Sequence, residues 1–196
     1  MTTDEQNGPA LMSAAAAETA RVVGNVNADE LDGKTPCADW DLRTLLNHTI
    51  LWTAYSAEQR AYGKSVAEDL MSKDFAAAPG FAADYQAQVA RAVQAWSDPK
   101  AWAGGRSVMG SETPATDIAA MLIAETVLHG WEIARATGQE YRSDEAVAAN
   151  VLTTVQAQGE LFRKYQGFAD IIAVPDTAST LDRALALSGR DPGWRP

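Results

Sequence analysis

Two histidines occur in the 196-residue chain, His48 and His129, and both lie inside apolar, helix-forming stretches. Glu125 precedes His129 by one helical turn, so a helix through them puts both side chains on one face. Ile118, Met121, Leu122, Leu128, Glu132, Ile133 and Ala136 mark the same stripe, which points the pair inward. A bare carboxylate in a helical core is costly unless it is paired or binds a metal. If the helix carrying His48 brings its imidazole to the same level, the result is a two-histidine, one-carboxylate set. Three protein ligands with an open position are the pattern of a catalytic divalent site, and bundles build such sites from inward residues on facing helices. A plainer reading uses the same residues: Glu125 bonds His129 or an arginine, and His48 is a satisfied core histidine.

Other side chains are expected at that level. Thr44, Trp52 and Tyr55 lie four or seven residues from His48, hence on its face, and are candidates for substrate contact. Glu132, three residues after His129, is a candidate catalytic base or orienting partner, or else a solvated carboxylate at the helix end. Arg135 could hold an anionic substrate group or form a salt bridge with Glu132. Trp131 reads as core. The single cysteine, Cys37, excludes an intramolecular disulfide and any Cys-rich metal site. It reads as a small buried hydrophobe rather than a nucleophile.

The elements that must position these residues are helical. Alanine, the best helix former, makes up roughly a fifth of the chain, and few segments alternate with period two. A first helix is expected from about Ala10 to Val23, ended by Gly24-Asn25. A second starts after Asp41, a good N-cap, and runs to about Tyr62, with Leu42, Leu45, Leu46 and Thr49 inward and Gly63 as the stop. Ser65 to Ala78 has no clear periodicity. A third helix covers Phe81 to Trp96, and Gly105 to Gly110 reads as a short extended piece. The fourth, about Ala115 to Thr137, carries Glu125 and His129. A fifth starts near Ser143 with Val147, Val151, Val155 and Phe162 on its core side, and a last short helix spans Thr180 to Leu187. No repeat or interdomain linker is evident, so residues 1–196 read as one domain.

Composition bounds the partners. With 16 Lys+Arg against 26 Asp+Glu, the net charge is −10, which lacks the basic footprint of a nucleic-acid or anionic-membrane binder. The N-terminus is acidic and polar where a signal peptide would be basic then apolar. No apolar stretch reaches bilayer length. The expectation is a soluble cytoplasmic protein. Helical bundles of this sort often pair, so a homodimer is open.

Two blocks of sequence resemble a known family. Thr35-Pro36-Cys37-Ala38-Asp39-Trp40-Asp41-Leu42-Arg43-Thr44-Leu45-Leu46-Asn47-His48 is similar to the opening motif of the mycothiol-dependent maleylpyruvate isomerase N-terminal family, within the DinB-like superfamily. Glu125-Thr126-Val127-Leu128-His129-Gly130-Trp131-Glu132-Ile133-Ala134-Arg135 is similar to its second, and the tail from Leu181 to Pro192 also looks like members of the group. The resemblance implies an all-α, DinB-like four-helix bundle with an additional short C-terminal helix. It implies one divalent metal ion on His48, Glu125 and His129: zinc, with nickel, iron or manganese as alternatives. It also implies a low-molecular-weight thiol such as mycothiol as cosubstrate and a small electrophile as substrate, hence S-transferase or isomerase chemistry. The chain is too short for a sizeable C-terminal domain such as that isomerase has, which leaves its particular reaction open. Two alternatives stand beside this reading: a metal-dependent hydrolase, and a non-catalytic metal-binding bundle.

Overall fold

Asp41 opens the helix that carries His48, its Oδ1 accepting the Thr44 backbone N–H at 2.8 Å. The computed structural model describes residues 3–108 and 111–196 of the chain. From that cap α2 (Leu42–Ile50) runs into a π-helical turn, Leu51–Ser56, and on into α3 (Ala57–Ala61) as one continuous rod. The expected second helix is therefore present, with a break in its winding that its periodicity did not announce. Thr49 and Thr53 each donate their hydroxyl to the carbonyl four residues back, at 2.7 Å, a bond that bends helices. Two buried side chains brace the turn. The Tyr85 hydroxyl lies 3.0 Å from Thr53 Oγ1, and Trp96 Nε1 donates to the Ala57 carbonyl at 2.8 Å.

The remaining bundle helices are α1 (Thr3–Gly24), α4 (Phe81–Trp96) and α5 (Ala115–Ala136). α1 packs on α4 and α5, and the α2–α3 rod packs on the same two helices. α6 (Glu145–Lys164) lies against α5, and α7 (Thr180–Leu187) lies against α6. The first helix begins at Thr3 rather than near Ala10, because Pro9 is accommodated inside it. Proline removes one intrahelical hydrogen bond, and the buried face of α1 (Met12, Ala15, Ala16, Thr19, Val22 and Val23) offsets that loss. The expected extended piece is β1 (Gly105–Val108), which pairs antiparallel with β2 (Ser111–Pro114), Arg106 opposite Thr113; its last two expected residues, Met109 and Gly110, lie outside the described residues. Val147, Val151 and Val155 are buried as expected, but Phe162 is only half-buried and packs on Phe168 at 4.9 Å between ring centres. No helix among the described residues is long and apolar enough to cross a membrane.

The core has two lobes, with Val93 and Tyr141 packed against both. One gathers Trp96, Ile118, Ile123, Val127, Val151 and Leu185. The other gathers Leu45, Leu46, Ile50, Tyr85 and Ile133. α1 and α5 meet closely beside His129, where Thr19 Oγ1 donates to the Thr126 carbonyl at 3.0 Å. A Cβ on Gly130 would fall 2.3 Å from Thr19 Oγ1 and 2.7 Å from Tyr141 Cε2. Gly130→Ala is therefore expected to destabilise the protein by about 1–3 kcal/mol, the usual cost of overpacking. The gain in helix propensity, about 1 kcal/mol at most, works against that cost. A denaturant melt reads the difference. Gly138, with φ of +66°, ends the same helix in the left-handed conformation that glycine adopts without strain.

Candidate metal centre

The α2 and α5 segments bring three donors together. His48 Nε2 lies 2.7 Å from Glu125 Oε1, and His129 Nε2 lies 3.3 Å from the same oxygen. One ligand atom from each of the three residues falls within 4.8 Å of the others, a grouping that could hold one metal ion. The two imidazole rings sit edge to face, 4.7 Å between centres. Two nitrogens and a carboxylate oxygen are a donor set suited to zinc and to other divalent first-row metals.

Behind the donors stands a second row of charges. His129 Nδ1 donates to Glu132 Oε2 at 2.5 Å, and Arg190 Nε lies 2.9 Å from Glu132 Oε1. Glu132 is only 2% exposed, so it is not a solvated helix-end carboxylate. Both its oxygens are engaged, which fits it to orient His129 rather than to take a proton from substrate. Fixing one ring nitrogen to a carboxylate turns the other toward the ligand position, as at many metal-binding histidines. Arg190 belongs to the tail after α7, where Nη1 donates to the Ser188 carbonyl at 3.4 Å and the guanidinium lies 5.5 Å over the Phe168 ring.

Electrostatics follow from this packing. Burial alone would raise the Glu125 carboxyl, but His129 and His48 hold it well below the usual range. Burial likewise works to raise Glu132, and Arg190 and His129 outweigh it. Burial would lower His129, yet the Glu125 and Glu132 carboxylates push it up to about 9. In metal-free protein a raised histidine contributes stability that is complete below its unfolded value, near 6.5, and is lost as pH rises through about 9. The lowered carboxylates contribute stability present above about 4.5 and lost as pH falls. Metal-free protein should thus be most stable between about pH 4.5 and 6.5. Its Tm is expected to drop by roughly 5–10 °C from pH 6.5 to 9, from a loss of at most about 3 kcal/mol. Scanning calorimetry of chelator-treated protein across that range checks it; a flat Tm would contradict the assignment.

Two tryptophans flank the donors, and an arginine packs on one of them. The Trp40 ring lies 4.7 Å from His48 and stacks on His129 at 6.0 Å. Trp52 lies 6.2 Å from His48 on the other side, and the Arg60 guanidinium lies 5.9 Å over the Trp52 ring. The side chains of His48 and Glu125 are 26% and 34% exposed and that of His129 only 9%, so solvent reaches the cluster from the His48 side.

The residues named from sequence divide clearly. His48, Glu125, His129, Glu132 and Trp52 are brought together. Thr44 is exposed at the start of α2. Tyr55 stacks on Phe75 at 5.1 Å instead of facing His48, because the π turn rotates it away. Arg135 forms no salt bridge with Glu132; it donates to the Pro192 carbonyl at 2.7 Å and lies 5.5 Å over the Trp131 ring. Trp131 is core. Cys37 is half-buried rather than buried; burial, then the Glu132 charge, raises its thiol. Trp40 stood in the first motif without a role, and Arg190 in the tail. Stacking and charge pairing across the fold give them theirs.

A helical bundle with a two-histidine, one-glutamate cluster between facing helices defines a class of candidate metalloproteins. Residues 12–134 match the model of the mycothiol maleylpyruvate isomerase N-terminal domain, and the chain belongs to that family. Two uncharacterized proteins of Mycobacterium tuberculosis, Rv0738 and MT0763, are each 27% identical over 173 residues, covering 87% of this chain and 91% of theirs. Among solved structures, the mycothiol-dependent maleylpyruvate isomerase superposes with a TM-score of 0.64 at 15% identity. The match spans 100% of this chain and 85% of that one. At that identity the likeness is one of fold, and it makes this an all-α, DinB-like bundle.

Proposed function

We propose that this protein is a metal-dependent enzyme that uses a low-molecular-weight thiol of mycothiol type on a small electrophile, by S-transfer or isomerisation. His48, Glu125 and His129 hold the ion, with zinc the first choice. The observation that carries the reading is the convergence of three donors, and only three, among the described residues. Catalytic sites keep three protein ligands and leave a position open, whereas structural zinc sites close with four. A bound divalent cation favours the deprotonated form of a thiol that coordinates it.

The chain's own residues supply the rest. Glu132 holds His129 in one tautomer through Nδ1, and Arg190 holds Glu132. Trp40 and Trp52 pack on either side of the His48 ring and hold it in place. The open side past His48 and Glu125 admits a small molecule. The family and the structural neighbour are named for mycothiol and maleylpyruvate, which suggests the thiol and a first substrate to try.

The test incubates zinc-loaded protein with mycothiol and either maleylpyruvate or monobromobimane. A rate above background that needs both metal and thiol is the expected result. Turnover that proceeds without thiol would favour a hydrolase, and no metal-dependent rate with either electrophile would favour the non-catalytic bundle.

A further inference from the structure

We propose that Arg60 forms an anion subsite at the mouth of this centre and binds a carboxylate of the small molecule that enters. The inference deepens the function proposed above and rests on it.

The winding of the rod carries the argument. Arg60 is twelve residues beyond His48. In an uninterrupted α-helix that spacing leaves it about 120° around from His48. One π turn is equivalent to about one extra residue looped into the helix, which brings position 60 back to within about 20° of the His48 line. The turn at Leu51–Ser56 lies between them. The same rotation that removes Tyr55 from the site face therefore delivers Arg60 to it, and the contacts agree: Trp52 is beside His48, and Arg60 is over Trp52.

The guanidinium is held by one edge. Its Nε donates to Ser56 Oγ at 3.1 Å, and Ser56 is itself buried in the last residue of the π turn. Among the described residues neither terminal nitrogen has a hydrogen-bond partner, and Arg60 forms no salt bridge. Glu125 is the charged group whose field it feels. A planar fork with two unused donors, packed on an aromatic face, suits a carboxylate. The chain of contacts from His48 through Trp52 to Arg60 puts that carboxylate on the His48 side of the centre.

The test uses cobalt-loaded full-length protein, with the cobalt–thiolate absorption band as readout. Mercaptopropionate and mercaptoethanol are titrated into parent, Arg60→Gln and Arg60→Lys. The ratio of their affinities isolates the carboxylate. Parent protein is expected to prefer mercaptopropionate by about tenfold or more, the value of one charge-assisted bond. Arg60→Gln should lose the preference and Arg60→Lys keep part of it, with metal content equal in all three. A second arm titrates maleate into the mercaptoethanol complex by calorimetry. Weakening there by Arg60→Gln places the carboxylate on the electrophile, and a mercaptopropionate preference places it on the thiol. If Arg60→Gln alters neither, the subsite is refuted while the metal centre stands. If no thiol gives the band in any of the proteins, the metal–thiol reading fails and the subsite falls with it.

Discussion

His129→Ala is expected to abolish stoichiometric zinc binding while leaving the far-ultraviolet circular dichroism nearly unchanged. Losing a hydrogen-bond partner of a ligand costs about 10- to 100-fold in metal affinity, and losing a ligand outright should exceed that. The fold should survive because the charges left behind remain paired. Glu125 keeps His48 at 2.7 Å, and Glu132 keeps Arg190 at 2.9 Å. Alanine is also the best residue for the interior of α5, a helix anchored by Ile118, Ile123, Val127 and Ile133, each nearly inaccessible to solvent. Equilibrium dialysis with elemental analysis checks the metal. Equal metal in variant and parent would show that the three donors are not the ligands.

The pairing of Glu125 with His129 was legible in local periodicity, whereas their meeting with His48 was left open by spacing and implied by the family resemblance. Glu125 and His129 share a face by spacing alone, and Asp41 fixes where the helix bearing His48 begins. Apolar stripes on those two helices aim both histidines inward. Legibility ended where the chain left regular winding or where partners were distant. The residues of the π turn, Leu51–Ser56, have an ordinary helical composition, and what sets the turn are the Thr49 and Thr53 hydroxyl bonds and the bracing by Tyr85 and Trp96. An i, i+7 rule therefore put Tyr55 on the wrong face and passed over Arg60. The Arg135–Glu132 pair was reasonable at i, i+3, but a helical neighbour lost to a tail residue 58 positions away, Arg190, which local spacing cannot reveal. The start of α1 was missed for the opposite reason: at Pro9 a local breaker is overridden by packing.

Arg190→Met is expected to lower both stability and zinc affinity, and a second substitution should separate the two. Residues 12–134 match the family model, yet Arg190 comes from beyond them and sits under the site. Removing it leaves the Glu132 carboxylate buried, with His129 as its remaining partner. Breaking a buried ion pair on one side costs about 3–5 kcal/mol, whereas replacing both partners with groups of similar volume costs far less. Methionine keeps much of the length of the arginine stem, though not the guanidinium's contact with the Phe168 ring. Arg190→Met with Glu132→Gln should therefore recover most of the lost stability in a thermal melt. Zinc affinity should not recover. An amide oxygen still accepts the His129 Nδ1 proton, but without the charge that makes the imidazole a strong donor to metal. The single variant takes away the contact that fixes Glu132 under His129 and the double variant takes away its charge, so both should bind zinc about 10- to 100-fold more weakly than the parent. Calorimetric titration measures that deficit. Parental affinity in the double variant would mean that the Glu132–Arg190 pair serves the fold alone, and that the tail has no part in tuning the centre.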